Sequence, residues 1–287
     1  MTAMTQVQTT DTLREWRESA PYWAKYSDTI REMFRPLTGA LIEDAGVTEG
    51  QPVLDVAGGA GEPSLTIAEV VGPAGAVTCT DAILEMVEAA KTKAQEGGLK
   101  NIQFRQCPAE ALPFSDNSFD ATVSRLGAMF FPAHAFGEIL RVTKPGGAIA
   151  FAVWHKAELN PFSFVVTDVM ARHVESAPEA PDAPGAFRFA ELGKLAAILK
   201  GAGAIEVRER VFKFNIAAPI SPKEFWEMRS WTSETLRTKL AKLTADAGDQ
   251  IGCEVLEAVA EYFPGNQMKF PAQMLIVSGK KPQMKGA

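Results

Sequence analysis

The stretch Val53-Leu54-Asp55-Val56-Ala57-Gly58-Gly59-Ala60-Gly61 decides how most of this 287-residue chain is expected to fold. Together with Pro52, its first four residues form a short apolar run that is typical of a buried parallel strand. The glycines that follow permit backbone dihedrals and close approaches that a Cβ atom prevents. Pro63 then suits the first turn of a helix over residues 64–71. The sequence therefore predicts a strand, a loop able to face a ligand, and a helix.

Strand and helix patterns alternate on the carboxyl side of this loop. Strands are predicted over residues 76–80, 101–107, 119–124, 148–154, 205–214 and 274–279, helices over 82–96, 133–142 and 192–201, and a tight turn at 144–147. Repeated strand-helix units of this length imply a parallel sheet with helices on both faces. The predicted fold class is α/β, with a Rossmann-like, doubly wound, mostly parallel seven-stranded sheet.

Two further regions have helical patterns. Residues 12–45 carry apolar side chains at helical spacing, and Pro21 and Pro36 are expected to divide them into short helices. Residues 219–271 form a helical insertion before the last strand. The predicted organisation is an amino-terminal helical segment (1–46), a Rossmann-like domain (47–218 and 272–282) and the insertion (219–271), with the two helical parts acting as a lid.

The bulk properties favour some partners and disfavour others. A formal net charge of −6 argues against a surface for nucleic acid, so the expected partner is a small-molecule acceptor. The three cysteines are widely spaced, which disfavours disulfides and fits a reducing compartment. The first residues do not resemble a signal peptide, and no apolar run is long enough to span a membrane. We expect a cytoplasmic protein without a metal site, and a homodimer is left open.

Two acidic residues flank the loop in the predicted sheet. Asp55 either tethers the loop or meets the charged end of a ligand through water. Asp81 closes the second strand, where a carboxylate can accept hydrogen bonds from the ribose hydroxyls of an adenosine. The alternative for Asp81 is a helix N-cap. A dinucleotide fingerprint would need a third glycine where Ser64 stands, and Glu62 adds negative charge where a pyrophosphate would bind, so NAD is disfavoured.

Five runs occur in an order and spacing that resemble one family. They are VLDVAGGAGEPSL (53–65), VTCTDAILEMVEAA (77–90), CPAEALPFSDNSFD (107–120), VSRLGAMFF (123–131) and RVTKPGGAIAFAVW (141–154). Together they resemble the UbiE-type branch of the class I S-adenosylmethionine-dependent methyltransferases. The resemblance implies S-adenosyl-L-methionine as the cofactor and transfer of its methyl group to a small acceptor by in-line displacement.

The resemblance also implies a set of cofactor-binding residues. They are Asp55, Ala57, Gly58, Gly59, Ala60 and Gly61 along the loop, Asp81, Ala82 and Ile83 at the ribose and adenine, Ala109 and Glu110 at the adenine, and Ser124, Arg125 and Leu126 near the methionine carboxylate or the sulfonium. Two positions depart from the family pattern. Ala57 replaces a glycine, and Pro108 replaces an aspartate that binds the adenine amino group, so this recognition is expected to fall to backbone groups and Glu110.

The sequence says less about where the methyl acceptor binds than about where the donor binds. His155, at the end of the fifth predicted strand, is the candidate base or acceptor contact, and an exposed loop histidine is the alternative. The predicted substrate lid contains aromatic residues from both helical regions: Tyr22, Trp23, Tyr26, Phe225, Trp226 and Trp231. Aromatic residues at helical spacing also occur in ordinary cores. A hydrophobic or aromatic acceptor is therefore preferred, and a non-catalytic donor-binding protein or an NAD-dependent oxidoreductase remain alternatives.

Overall fold

The computed structural model describes residues 3–175 and 182–283. The helices are α1 (Ala3–Lys25), α2 (Ser27–Asp44), α3 (Ser64–Val71), α4 (Leu84–Glu96), α5 (Ala135–Val142), α6 (Pro161–His173), α7 (Lys194–Gly201), α8 (Pro222–Thr232), α9 (Glu234–Leu240) and α10 (Ala245–Ala258). The strands are β1 (Pro52–Val56), β2 (Ala76–Asp81), β3 (Ile102–Gln106), β4 (Phe119–Arg125), β5 (Thr143–Trp154), β6 (Ile205–Ala218) and β7 (Met268–Lys280). Over the described residues, no helix is both long enough and apolar enough to cross a membrane.

The seven strands form one sheet in the order β3-β2-β1-β4-β5-β7-β6. Strands β1 to β5 pair in parallel, whereas β7 runs antiparallel to β5. The predicted Rossmann-like, mostly parallel seven-stranded sheet is thus confirmed. The strand order reverses between β1 and β4, and ligands of open α/β sheets bind at the carboxyl ends of the strands on either side of such a reversal. The loop after β1 lies at this point.

The central strands are buried on both faces, as their continuous apolar sequences predict. Val53 and Leu54 point to opposite faces of β1 and both have 0% exposure. Val123 of the neighbouring β4 is equally buried. This packing holds the carboxyl ends of β1 and β4 in fixed positions, and the loops that leave them therefore start from a rigid frame.

Contacts divide the chain into two compact units. The helical unit comprises Met1–Phe34, Ala157–Ala183 and Lys213–Ala272, and it contains α1, α6 and α8 to α10. The sheet unit comprises Arg35–Lys156, Pro184–Phe212 and Gln273–Ala287, and it contains β1 to β5 with α3 to α5 and α7. The expected division into lid, Rossmann-like domain and insertion stays a prediction.

The prediction that Pro21 and Pro36 divide the amino-terminal region is wrong. Pro21 lies inside α1 and Pro36 lies inside α2, and the break between the two helices is at Tyr26. A proline removes one hydrogen bond and crowds the preceding turn, but it does not have to end a helix whose apolar face is buried. In α2 that face includes Leu37 and Leu41, both with 0% exposure.

The predicted turn at 144–147 is part of a strand in the structure. Strand β5 already begins at Thr143, which pairs with Phe119, and the next register pair is Ala148 with Ala121. The extra residues of β5 form an irregularity in the ladder, with Gly146 at φ 76°. Glycine tolerates this conformation, so the strand bulges where the sequence predicts a separate turn.

Candidate functional site

The loop between β1 and α3 folds tightly against the end of β2. The Gly58 amide donates to the Thr80 carbonyl over 2.8 Å. A Cβ atom on Gly58 would lie 2.7 Å from both Asp55 Oδ2 and Cys79 Sγ, so any side chain here would force these buried groups to shift. The next glycine differs, because a Cβ on Gly59 would meet nothing within 4 Å. The loop is therefore packed on one side at Gly58 and open at Gly59.

The Asp55 carboxylate tethers this loop from below. It has 0% exposure, and its Oδ2 accepts a hydrogen bond of 2.6 Å from the Ser64 hydroxyl at the start of α3. Burial raises the pKa of Asp55 to about 7, although the Ser64 hydrogen bond opposes this change. Of the two interpretations of Asp55 from sequence, these contacts support the tether. The sequence singles out Ser64 only because it stands where a dinucleotide fingerprint has its third glycine. It does not predict the hydrogen bond from Ser64 to Asp55.

The Asp81 carboxylate joins the loop to the end of β2. Its Oδ2 accepts from the Gly59 amide over 3.0 Å, and its Oδ1 accepts from the Ile83 amide over 2.9 Å. Burial raises the pKa of Asp81 to about 6, although these backbone hydrogen bonds favour the charged form and lower the pKa. The N-cap of α4 is Ile83 and not Asp81, so the helix-cap alternative does not hold. Asp81 holds the open glycine of the loop in place.

The end of β4 supplies buried polar groups to the same edge of the sheet. Ser124 has 0% exposure, and its hydroxyl has no hydrogen-bond partner among the described residues. Arg125 donates to Thr38 Oγ1 over 2.7 Å and to the Glu62 carbonyl over 3.3 Å. Burial lowers the pKa of the Arg125 guanidinium, while the carboxylates of Glu62 and Asp55 oppose this. Arg125 thus fixes the far end of the loop, through Thr38 and Glu62, which the motifs did not single out as its partners.

The segment after β3 also reaches this edge. The Cys107 amide donates to the Asp81 carbonyl over 2.9 Å, which holds the start of this segment beside the end of β2. Ala109 is buried, Glu110 is half-buried and Pro108 is exposed. On the neighbouring connection, Ile83 is buried. The predicted adenine-side residues therefore follow two adjacent strands whose ends are hydrogen-bonded together.

His155 occupies a buried position at the end of β5. It has 7% exposure, and its Nδ1 lies 2.7 Å from the Ala190 carbonyl oxygen. A carbonyl oxygen only accepts hydrogen bonds, so Nδ1 carries the proton in this contact. The alternative of an exposed loop histidine is wrong. The role of His155 as a base or an acceptor contact stays a prediction.

The predicted lid residues connect helices within the helical unit. The ring of Tyr22 stacks on Trp231 with centroids 4.8 Å apart, and Trp23 Nε1 donates to the Thr232 carbonyl over 3.2 Å. The Tyr26 hydroxyl donates to Glu227 Oε1 over 2.9 Å. These contacts join α1 and the break that follows it to α8, and the role of these residues as a lid stays a prediction.

Two other aromatic residues of the predicted lid pack inside the helical unit. Phe225 has 0% exposure, so it is a core residue. A Cβ on Gly252 would lie 3.0 Å from Trp226 Nε1, which shows how closely α8 and α10 approach each other at this point.

The acidic residue Glu62 lies just before the start of α3. The Glu62 carboxylate accepts hydrogen bonds of 3.0 and 2.8 Å from the Thr66 hydroxyl. A pyrophosphate would need free amides and no negative charge at this helix start. The contacts therefore favour an adenosine ligand without a pyrophosphate. Within the described part of the chain, no group of three or more His, Cys, Asp or Glu residues is arranged to hold a metal ion.

A family model described as a methyltransferase domain matches residues 47–181, which include the loop, Asp81 and the ends of β3, β4 and β5. This segment belongs to the methyltransferase domain family. The methyltransferase domain is 38% identical over 136 residues to an uncharacterized protein of Mycobacterium tuberculosis, and the match covers 46% of this chain and 48% of that protein. The resemblance to class I S-adenosylmethionine-dependent methyltransferases is thereby confirmed.

Two further comparisons place the methyltransferase domain among known proteins. The ubiquinone/menaquinone biosynthesis C-methyltransferase UbiE of Pseudomonas aeruginosa is 33% identical over 149 residues, or 48% of this chain and 58% of UbiE. Phosphoethanolamine N-methyltransferase 2 of Haemonchus contortus has a TM-score of 0.56 at 19% identity, over 93% of this chain and 59% of that one, and so shows the fold. The chain spans about half the length of the curated relatives that it matches.

Proposed function

We propose that this chain binds S-adenosyl-L-methionine at the loop after β1 and transfers its methyl group to a small acceptor. The observation that carries the proposal is the position of Asp81. The Asp81 carboxylate lies at the end of β2 and accepts a hydrogen bond from the Gly59 amide. Its oxygens, which can also accept hydrogen bonds from ribose hydroxyls, therefore lie beside Gly59, the open glycine of the loop. The methyltransferase family of residues 47–181 supports the same ligand, as does the Haemonchus structure, which was solved with S-adenosylhomocysteine.

The residues around the loop suit the different parts of the donor. Asp81 would accept hydrogen bonds from the ribose hydroxyls with the lone pairs that Gly59 and Ile83 leave available. Ser124 would donate its hydroxyl hydrogen bond to the methionine carboxylate, because this buried hydroxyl has no partner of its own. Ala109 and Glu110 would border the adenine. The open face at Gly59 lets the donor approach the backbone closely.

The bound donor supplies a methyl group that its sulfonium already activates. The chain then has to hold the acceptor atom in line behind that methyl group, and positioning alone accounts for large accelerations. A base helps where the acceptor must lose a proton. His155 is our candidate for this role, and its Nδ1 contact with the Ala190 carbonyl fixes the orientation of the ring.

For the acceptor we propose a small hydrophobic or aromatic molecule. The name of the UbiE relative, which refers to ubiquinone and menaquinone biosynthesis, supports this class. The exposed stack of Trp231 on Tyr22 in the helical unit supports it too, since such rings bind apolar surfaces. We further propose that the helical regions act as a lid for the acceptor and that the protein works in the cytoplasm.

Calorimetry with S-adenosylhomocysteine tests the donor site. Asp81→Ala is expected to lower the affinity at least tenfold, because the ribose acceptor and the Gly59 anchor are both lost. Asp81→Asn keeps one acceptor oxygen and should lose less. Asp120→Asn is the matched control. It removes a carboxylate of β4 that pairs with Lys144 of β5, and it should bind S-adenosylhomocysteine like the wild type. Unchanged affinity in Asp81→Ala contradicts the ribose assignment.

Two further measurements separate the alternatives. In thermal shift, S-adenosylhomocysteine should stabilise the protein more than NAD does, and the reverse order would support an oxidoreductase. A screen with labelled methyl donor across quinols, phenols, amines and sterol-like acceptors then tests catalysis. Donor binding without transfer to any acceptor class would instead support a non-catalytic donor-binding protein.

A further inference from the structure

Strand β6 forms an open edge of the sheet. It is the last strand in the order β3-β2-β1-β4-β5-β7-β6, so only one of its two sides is paired. Five of the seven residues 205–211 are exposed. Over the part of the chain that the structure describes, these seven residues make no backbone-to-backbone hydrogen bonds outside the sheet. Such an edge is a template on which another strand can pair. Residues 205–211, which belong to the sheet unit, therefore form a surface for strand addition.

One face of this edge carries two exposed apolar side chains. Glu209 Oε2 accepts from the amide of Gly193, the N-cap of α7, over 2.6 Å, so Glu209 points to the α7 side of the sheet. Successive residues of a strand point to opposite faces, so Ile205 and Val211 lie on the same face as Glu209. Both are exposed, at 43% and 37%. This face thus has an apolar side chain at each end of the edge segment.

The opposite face carries three exposed charges, Glu206, Arg208 and Arg210. Glu206 Oε2 accepts from Lys280 Nζ over 2.7 Å, and Arg210 Nε donates to Asp44 Oδ2 over 2.7 Å. These contacts use one oxygen of the carboxylate and one nitrogen of the guanidinium. The other oxygen and the two terminal nitrogens can therefore meet a further partner of opposite charge.

We propose that β6 pairs in antiparallel orientation with β6 of a second copy of this chain, about a two-fold axis at Arg208. In this register, Glu206 of each copy lies opposite Arg210 of the other. Ile205 of each copy lies opposite Val211 of the other. Opposite charges and apolar side chains that face each other directly both stabilise an antiparallel pair. The contact is isologous, as in most homodimers, and it joins the two seven-stranded sheets into one.

The neighbouring registers fit less well. An axis at Glu209 would place Arg208 of each copy opposite Arg210 of the other. An axis at Val207 would place the apolar Ile205 opposite the Glu209 carboxylate. With the axis at Arg208, this arginine meets its own copy, and no other like charges lie opposite each other within the segment. Edges that resist pairing carry charges that repel a second strand, whereas the order of charges here attracts one that runs in the opposite direction.

Light scattering after size-exclusion chromatography, over a dilution series of the full chain, tests the interface. We expect the wild type to change from dimer to monomer on dilution, and NaCl should favour the monomer because salt screens exposed charges. Glu206→Arg and Arg210→Glu each place like charges opposite each other twice, so each should weaken the dimer roughly tenfold. A mixture of these two variants should dimerise again, since opposite charges then face each other at both positions. Glu88→Arg is the matched control, because it changes an exposed charge of α4 that pairs with Lys91.

Disulfide cross-linking tests the register. The background variant Cys253→Ser removes the exposed native cysteine. In this background, Arg208→Cys places two thiols opposite each other at the axis, with Cα atoms roughly 4.5–5.5 Å apart, which suits a disulfide. Oxidation should then give a covalent dimer. Glu206→Cys is the control on the same face, because its copy lies four residues away along the partner strand.

Three results would overturn the inference. They are a wild type that stays monomeric throughout the dilution series, a dimer whose affinity neither charge variant changes or whose loss the mixture does not reverse, and equal cross-linking of Arg208→Cys and Glu206→Cys. The measurements need neither donor nor acceptor. Failure of the dimer would therefore leave the proposed function standing, and loss of donor binding would leave the dimer standing.

Discussion

Asp55→Asn is expected to flatten the pH dependence of folding stability. The substitution removes the titrating group, but an amide oxygen can still accept the hydrogen bond from Ser64. In the wild type, burial raises the pKa of Asp55 from an ordinary value of 3.8 to about 7. The folded state therefore holds a proton that the unfolded state releases at much lower pH. Stability from this group is fully present below pH 3.8 and is lost as the pH rises through 7.

The two pKa values set the size of the effect. Over the full range the difference corresponds to about 4 kcal/mol in the free energy of unfolding. Between about pH 5 and 8, the accessible part of this change is about 2.5 kcal/mol. We expect the wild type to lose about that much more stability than Asp55→Asn across this interval.

Urea unfolding without donor, measured at both pH values, provides the assay. Asp120→Asn is the control, because its carboxylate is partly exposed beside Lys144 and solvent screens the pair. Between the two pH values, the free energy of unfolding of Asp120→Asn should fall by as much as that of the wild type. If Asp55→Asn and the wild type lose the same free energy between the two pH values, the buried proton on Asp55 is refuted.

Three other expectations address the same loop. Gly58→Ala should lower the free energy of unfolding, measured in urea, by about 1–3 kcal/mol, because its Cβ would lie 2.7 Å from Asp55 Oδ2. Gly59→Ala should lower it by only about 1 kcal/mol but should weaken binding of S-adenosylhomocysteine. Equal stabilities for the two variants would contradict this contrast. Ser64→Ala should destabilise the fold by about 1–3 kcal/mol, since Asp55 loses its donor; a variant as stable as the wild type would show that the tether contributes little. Burial raises the pKa of Asp81 to about 6, so calorimetry should show the affinity for S-adenosylhomocysteine falling as the pH decreases below this value, and a constant affinity between about pH 5 and 8 would contradict ribose binding by the ionised carboxylate.

The sheet and the donor loop could be predicted because their signals are local. A strand buried on both faces must be a continuous apolar run, and the loop after it needs glycines wherever the backbone turns or packs closely. Gly58 is an example, since Asp55 and Cys79 leave no room for a side chain. The position of Asp81 at a strand end likewise follows from the chain itself. These features depend on few distant residues.

Other features depend on distant packing and could not be predicted locally. Pro21 weakens a helix by a local rule, but the helix continues through it, and no residue near Pro21 in sequence signals this. The Arg229 guanidinium lies over the ring of Phe162, and this contact joins two helices that are far apart in the sequence. For His155 the sequence leaves an exposed loop position open as an alternative, because the Ala190 carbonyl that it contacts comes from a separate segment.

The place of β7 in the sheet has a consequence for synthesis on the ribosome. This strand lies between β5 and β6, although it follows both of them in the chain. Until residues 268–280 have left the exit tunnel, β5 presents an unpaired edge and β6 has no neighbour in the sheet. A nascent chain that stops earlier would expose these edges to other chains, so we expect the emergence of β7 from the tunnel, rather than completion of β5, to mark the moment at which aggregation risk falls.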